Sequence, residues 1–225
     1  MRLFLHKKSR LFRSDSLAFR YNQRMLKSAR ALWIALFGLV ILTGLVTFFG
    51  PAERSLGANL RLVTLHGAWV WAGKAAFAIS GLTGLAGLVS KKGRALLAGW
   101  SLALGRTGLV FWLTYLPMSL LVMQLNWGGL FFAEPRWQVP FAFGVAAVLL
   151  QAGLSVLRID WLTCGSNLAF GIALWAALGN ATNVLHPESP IFSGGSARIE
   201  FFFGALLLLS LAIGAVISLL LRRKS

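Results

Sequence analysis

The 23 residues from 199 to 221 read IEFFFGALLLLSLAIGAVISLLL and contain one charged side chain, Glu200. A run of about 20 mostly apolar residues is long enough, as an α-helix, to cross the hydrocarbon core of a bilayer. Five similar blocks precede it. None shows the period-2 alternation of barrel strands, and helices satisfy every backbone amide within the segment. The sequence therefore predicts an all-α, polytopic integral membrane protein with six transmembrane helices.

Composition agrees with this prediction. Of the 225 residues, 57% are hydrophobic and 12% are charged, whereas a soluble domain carries about 25% charged residues. A water-soluble fold cannot bury that much apolar surface. The helices are predicted at about 31–50, 63–89, 96–124, 139–157, 161–179 and 199–221.

Basic residues are concentrated on one side of this arrangement. The segment 1–30 alone holds nine of the 22 Lys and Arg residues, and the side to which it belongs holds sixteen. The opposite loops hold four: Arg54, Arg61, Arg136 and Arg198. The positive-inside rule then predicts that both termini are cytoplasmic, and the expected location is the bacterial inner (plasma) membrane. The net charge of +16 thus indicates orientation in a lipid bilayer, and no nucleic-acid partner is expected.

The chain is predicted to form one membrane domain with short basic ends. A basic cytoplasmic arm covers residues 1–30, the six-helix domain 31–221 and a basic tail 222–225. Polar residues fall mainly in outer loops at 51–66, 125–138 and 180–198, where function is expected. The single cysteine, Cys164, lies within the fifth helix, so we expect a packing role and no covalent haem attachment.

Two histidines fall at the predicted outer surface. His66 lies near the outer end of the second helix, and His186 lies in the last outer loop beside Pro187. Neutral imidazole is a haem iron ligand, and two imidazoles far apart in sequence can approach opposite faces of one macrocycle. The alternative is that both are hydrogen-bonded residues at the membrane interface.

The loop between these histidines is rich in aromatic residues. It reads NWGGLFFAEPRW over 126–137 and has only two charged side chains, Glu134 and Arg136. We interpret it as a flat apolar platform for a porphyrin, with Arg61, Arg136 or Arg198 as partners for the propionates. The alternative is an aromatic belt, because Trp is enriched at membrane interfaces regardless of function.

Three segments carry a family resemblance. The first contains, in order, Pro51, Gly57, Arg61, His66, Ala68 and Trp69; the second begins Trp127-Gly128 and closes Glu134-Pro135-Arg136; the third is Asn183-Val184-Leu185-His186. In these features the chain resembles, over residues 31–221, the CcmC-type haem-handling proteins of cytochrome c assembly. It looks like a divergent member, since residues 130–133 read LFFA where that family is rich in Trp, and Glu134 stands where it has Asp.

The resemblance implies a haem-binding protein of cytochrome c biogenesis, not an enzyme. Such a protein holds non-covalent haem b at the outer face and passes it to an acceptor or to other cytochrome c assembly membrane proteins. The implied iron ligands are His66 and His186. The other expected haem-contacting residues are Arg61, Trp69, Trp127, Gly128, Phe131, Phe132, Glu134, Arg136 and Trp137.

Two intramembrane cations leave alternatives open. Lys74 lies two turns deeper than His66 on about the same helical face, so we expect it beneath the haem site. Arg106 lies about ten residues into the third helix. The alternative to a site role, favoured for Arg106, is a side chain that extends toward the interface or pairs with a carbonyl. A small-anion transporter would use both cations in one midplane cavity.

A haem b electron-transfer subunit of a membrane oxidoreductase is another alternative function. It would use His66 and His186 to hold a permanent haem.

Overall fold

The structure is a computed structural model that describes residues 29–54, 56–180 and 196–223. These residues form six helices, each long and apolar enough to cross a membrane. They are α1 (Ala29–Phe48), α2 (Leu60–Val89), α3 (Arg94–Trp127), α4 (Pro135–Leu157), α5 (Asp160–Gly179) and α6 (Ala197–Arg222). The predicted all-α fold with six transmembrane helices is confirmed.

Every helix boundary except the start of α4 lies within three residues of the prediction, and α4 begins four residues earlier than predicted. The predicted loop at 125–138 is wrong at both ends, since only residues 128–134 separate the two helices. Gly128 ends α3 in the left-handed conformation with φ +69°. Glu134 caps α4, and Pro135 occupies its first turn, where a missing N–H costs nothing. Trp127, Arg136 and Trp137 are therefore helical residues.

The centre of the bundle is α2, which packs against α3, α5 and α6. Its contact with α5 depends on small residues. A Cβ added at Gly84 would collide with the backbone of Cys164, and one at Gly87 would lie 2.6 Å from the Cys164 Sγ. Cys164 itself is fully buried, which confirms its predicted packing role. Small residues at such contacts allow helix backbones to approach closely inside a membrane.

Helix α1 lies at the periphery of the bundle. It packs through Leu36 and Leu39 against a small cluster of Ala72, Phe111 and Ile213. Most of its remaining apolar surface is exposed, with Ile34 73% and Phe37 63% accessible. Exposed apolar surface of this extent is suited to contact with lipid chains.

An aromatic layer and a polar layer cross the middle of the bundle. The aromatic layer is a cluster of Phe77, Trp112, Tyr115, Ala147 and Leu174. It joins α2, α3, α4 and α5.

The polar layer links four buried side chains: Ser80, Ser101, Gln151 and Asn167. Asn167 Nδ2 donates to Ser101 Oγ over 3.0 Å, and Gln151 Nε2 donates to Asn167 Oδ1 over 2.8 Å. Ser80 and Ser101 each donate to the other's backbone carbonyl. Hydrogen bonds between helices supply part of the stability that a hydrophobic driving force cannot supply in lipid.

Candidate functional site

A cavity of about 390 Å³ opens at the end of the bundle where α3 ends and α4 begins. We name it the His66 cavity, and it is bounded by His66, Lys74, Tyr115, Trp127, Glu134 and Arg136, together with Trp71, Trp112, Met123 and five further residues. The volume lies within the range of about 300–1,000 Å³ that is usual for ligand sites. Four of the predicted haem-contacting residues therefore meet at one place: His66, Trp127, Glu134 and Arg136.

His66 lies in the second turn of α2. Its imidazole contacts the ring of Tyr115 on α3, with ring centroids 5.0 Å apart. Tyr115 is buried and belongs to the aromatic layer, so the imidazole rests on a packed surface. The second predicted ligand, His186, lies outside the described residues.

The first turn of α4 supplies the charged groups of the cavity mouth. The Glu134 carboxylate is buried and accepts a hydrogen bond from the backbone N–H of Arg136 over 3.4 Å. Such an N-cap fixes the direction in which the helix begins. The Arg136 side chain is exposed, yet it lines the cavity. A guanidinium and the positive end of a helix dipole thus lie together at the mouth, where both favour an anionic ligand group.

Lys74 lines the same cavity as His66, as its spacing predicts. Its ammonium lies 4.1 Å from the ring centroid of Trp71 and 4.2 Å from that of Trp175. Two cation–π contacts offset part of the cost of placing this charge within a membrane span. Lys74 therefore gives the cavity an interior cation as well as the one at its mouth.

The predicted flat aromatic platform is not present. Phe131 meets Trp127 edge-on at 67°, and Phe132 meets Trp137 edge-on at 83°. The Trp137 ring stacks on Phe141 at 15° along α4. None of Gly128, Phe131, Phe132 and Trp137 lines the His66 cavity. The connection at 128–134 and the first turn of α4 therefore do not present one flat aromatic face to the cavity.

Three further residues considered from sequence do not line the cavity. Trp69 donates its indole N–H to Thr114 Oγ1 over 2.8 Å and packs against Phe111. Arg61 donates to the carbonyl of Phe48 at the end of α1 over 2.7 Å. Arg198 is exposed at the start of α6. The structure thus brings Arg136 to the cavity and leaves Arg61 and Arg198 elsewhere.

Sequence reasoning missed most of the cavity wall, including three of its four aromatic residues other than His66. Trp71, Trp112, Tyr115, Ser119 and Met123 all line the cavity. The last three are spaced by four residues along α3, which places them on one helix face. That spacing was a usable signal once His66 had been placed at the same end of the bundle.

The two intramembrane cations lie in different cavities. Lys74 lines the His66 cavity, whereas Arg106 lines a second cavity with residues at the end of α4. No lining residue is common to the two. The single midplane site that an anion transporter would need from Lys74 and Arg106 is therefore not formed, which corrects that expectation.

Comparison with known proteins adds no further constraint. No family model, curated protein or solved structure matches the chain. Among residues 29–54, 56–180 and 196–223, no group of three or more His, Cys, Asp or Glu could hold a bare metal ion. The functional proposal is therefore based on the geometry of the His66 cavity and on the sequence resemblance.

Proposed function

We propose that this chain is a haem-binding membrane protein of cytochrome c biogenesis. It holds haem b non-covalently at the outer membrane face and hands it to an acceptor. The observation that carries this proposal is the His66 cavity, which combines one imidazole, a wall that includes Trp71, Trp112, Tyr115 and Trp127, and a guanidinium at its mouth. Large aromatic faces suit a porphyrin, and cations suit its propionates.

Each side chain has a distinct role in this proposal. His66 provides a nitrogen ligand for the iron, and the ring of Tyr115 contacts the imidazole and fixes its orientation. Arg136 binds a propionate with its forked donors, and Glu134 positions Arg136 by capping α4. His186 is the proposed second ligand. Haem supplies a redox-active iron, but the protein acts as a carrier rather than by making or breaking covalent bonds.

The composition of the wall supports binding without covalent attachment. In this proposal the aromatic rings of the wall contact the porphyrin, and the exposed Arg136 binds a propionate without a covalent bond to the chain. A ligand held there can be collected by a partner without unfolding the bundle.

One observation favours a second candidate, an electron-transfer subunit with a permanent haem. His66 lies within α2 rather than in a loop, and ligands on helices suit resident cofactors in bundles. The rate of haem loss separates the two functions. Transfer of haem to a soluble high-affinity acceptor protein within minutes supports a carrier, whereas retention over hours supports a resident cofactor.

The absorption spectrum of the purified protein tests haem binding directly. We expect a low-spin spectrum with two nitrogen ligands, and acid acetone should extract the haem because no cysteine motif anchors it. His66→Ala and His186→Ala should each shift the spectrum or lose the haem, and added imidazole should partly restore it. The third histidine, His6, provides the matched control, His6→Ala. A haem spectrum that is indifferent to both His66→Ala and His186→Ala would overturn the proposal.

A further inference from the structure

Three arginine side chains meet in a second cavity at the opposite end of the bundle. This arginine cavity has a volume of about 270 Å³ and is defined by Gly99, Arg106, Ser155, Arg158, Asp160 and Arg222. Its arginines come from α3, from the end of α4 and from the end of α6. Three separate helices therefore direct positive charge into one space.

The Arg106 side chain extends from within α3 to a hydroxyl near the end of α4. Its Nη2 donates to Ser155 Oγ over 2.6 Å, and the Ser155 hydroxyl in turn donates to the carbonyl of Gln151. Arg106 lies twelve residues after the start of α3 at Arg94, which is about 18 Å along the helix axis. The guanidinium itself lies nearer the end of the bundle, since Ser155 is two residues before the end of α4 at Leu157, and an arginine of a membrane span favours further polar partners.

Arg222 is the second anchored donor. Its Nε is buried and has no hydrogen-bond partner among the residues that the structure describes. The guanidinium lies against Gly99, where an added Cβ would be 2.9 Å from the Arg222 Cζ. The same Cζ is 5.9 Å from the ring centroid of Trp100. Because Gly99 has no side chain, the Arg222 guanidinium can lie at the cavity wall. Its buried Nε has no hydrogen-bond partner there among the described residues.

The charges that line the cavity do not balance. Among the described residues, Arg106, Arg158 and Arg222 line the cavity together with one carboxylate, that of Asp160. Guanidinium groups bind phosphate oxygens in a forked geometry, and several of them can share one tetrahedral anion. Basic pockets between transmembrane helices also bind lipid headgroups. The excess positive charge and the unsatisfied Arg222 Nε both favour binding of an anion with several acceptor oxygens.

We propose that the arginine cavity binds a phosphate group, supplied either by the headgroup of an anionic phospholipid or by free inorganic phosphate. This site uses none of the residues of the His66 cavity and is independent of haem binding. Positive charge predicts that this end of the bundle is cytoplasmic.

Binding can be measured on the full chain after it has been purified in neutral detergent and stripped of lipid. The probes are phosphatidylglycerol, diacylglycerol with the same acyl chains, and inorganic phosphate at constant ionic strength; the readouts are the unfolding temperature and mass spectrometry of the intact complex. We expect phosphatidylglycerol or phosphate to stabilise the protein and diacylglycerol to have no effect. Stabilisation by phosphatidylglycerol alone identifies a lipid site, and equal stabilisation by inorganic phosphate identifies a free-anion site.

Variants connect this binding to the cavity. The double variant Arg106→Gln, Arg222→Gln should bind the phosphate probe about tenfold or more weakly, because charge-assisted hydrogen bonds are lost. Arg223→Gln, which changes the exposed neighbour on the same helix end, should bind normally. Unchanged binding by the double variant would overturn the proposal.

A second variant is expected to bind phosphate more tightly, a result that misfolding cannot produce. Asp160→Asn removes the carboxylate that lines the cavity and should tighten phosphate binding several-fold. Binding that is unchanged or weaker in Asp160→Asn would contradict the proposal even if the double arginine variant failed to fold.

Discussion

The imidazole of His66 on α2 rests against the buried ring of Tyr115 on α3, with ring centroids 5.0 Å apart. A ligand imidazole is useful only if its orientation is fixed, and a packed ring on a neighbouring helix fixes it. Tyr115 is therefore a positioning residue in the proposed site.

Tyr115→Ala should reduce haem retention and broaden the haem spectrum, because His66 loses the surface that orients it. Tyr115→Phe should behave like the unmodified protein, since it keeps the ring. Absorption spectra at matched protein concentration check both variants. An effect of equal size in Tyr115→Phe would assign the role to the hydroxyl instead of the ring.

Arg136→Gln should weaken haem retention about tenfold or more, through loss of charge-assisted hydrogen bonds to a propionate. Arg61→Gln is the matched control, because Arg61 donates to the carbonyl of Phe48 and does not line the cavity. Haem titration of the purified variants gives the comparison. Equal retention in both variants would indicate that Arg136 meets lipid phosphate rather than haem.

Trp175→Ala should destabilise the bundle by about 1–2 kcal/mol, because it removes one of the two rings that hold the Lys74 ammonium. Trp161→Ala changes a tryptophan of the same helix that is 58% exposed and should cost much less. Thermal unfolding in detergent measures both. In a Lys74→Met background the cost of Trp175→Ala should shrink; an undiminished cost would mean that packing alone explains it.

Gly84→Ala should destabilise the bundle by about 1–3 kcal/mol, since the added Cβ collides with the backbone of Cys164 and separates α2 from α5. Gly153→Ala is a matched control in α4, where an added Cβ meets nothing within 4 Å. That variant should be neutral or slightly stabilising, because alanine favours helix. Equal unfolding temperatures for the two variants would contradict the close α2–α5 contact.

Reporter fusions should show that the connection at 128–134 lies outside and that the turn at Lys91-Lys92 lies inside. The sixteen-to-four distribution of basic residues is the physical reason. A periplasm-active reporter fused after Gly129 should work, and the same reporter fused after Lys92 or Lys224 should not. Activity after Lys224 would place the end of the chain on the outer side and invert the proposed orientation.

The fold could be predicted from sequence because hydrophobic length alone determines which segments span a membrane. The α3–α4 connection could not, because the sequence from Asn126 to Trp137 reads as a loop. Gly128 ends α3 and Pro135 starts α4, so the two residues that favour a loop in the sequence are helix boundaries in the structure. Local sequence marks these residues as boundaries but does not say how close together the two helices come.

The site was predicted in part for a similar reason. Lys74 was placed correctly by helical periodicity from His66, whereas Trp69 was chosen for its position in the family-like segment. The cavity-facing residues of α2 lie on one side of His66 around the helix, and Trp69 lies about 60° to the other side. The residues of α3 that complete the wall, Tyr115 and Met123 among them, share one helix face by their spacing, but the neighbour that this face meets depends on helix packing.

The aromatic layer of Phe77, Trp112, Tyr115, Ala147 and Leu174 affects how a ligand of the His66 cavity can be exchanged. It underlies the His66 cavity, the polar layer around Asn167 lies beyond it, and the arginine cavity at the other end has no wall residue in common with the first. Among the residues that the structure describes, the two cavities are thus separate, and we expect a ligand beside His66 to be exchanged at the end of the bundle where Arg136 lies. Under the proposed carrier function, the direction of transfer then depends on the relative affinities of donor and acceptor for haem, and not on passage across the bilayer.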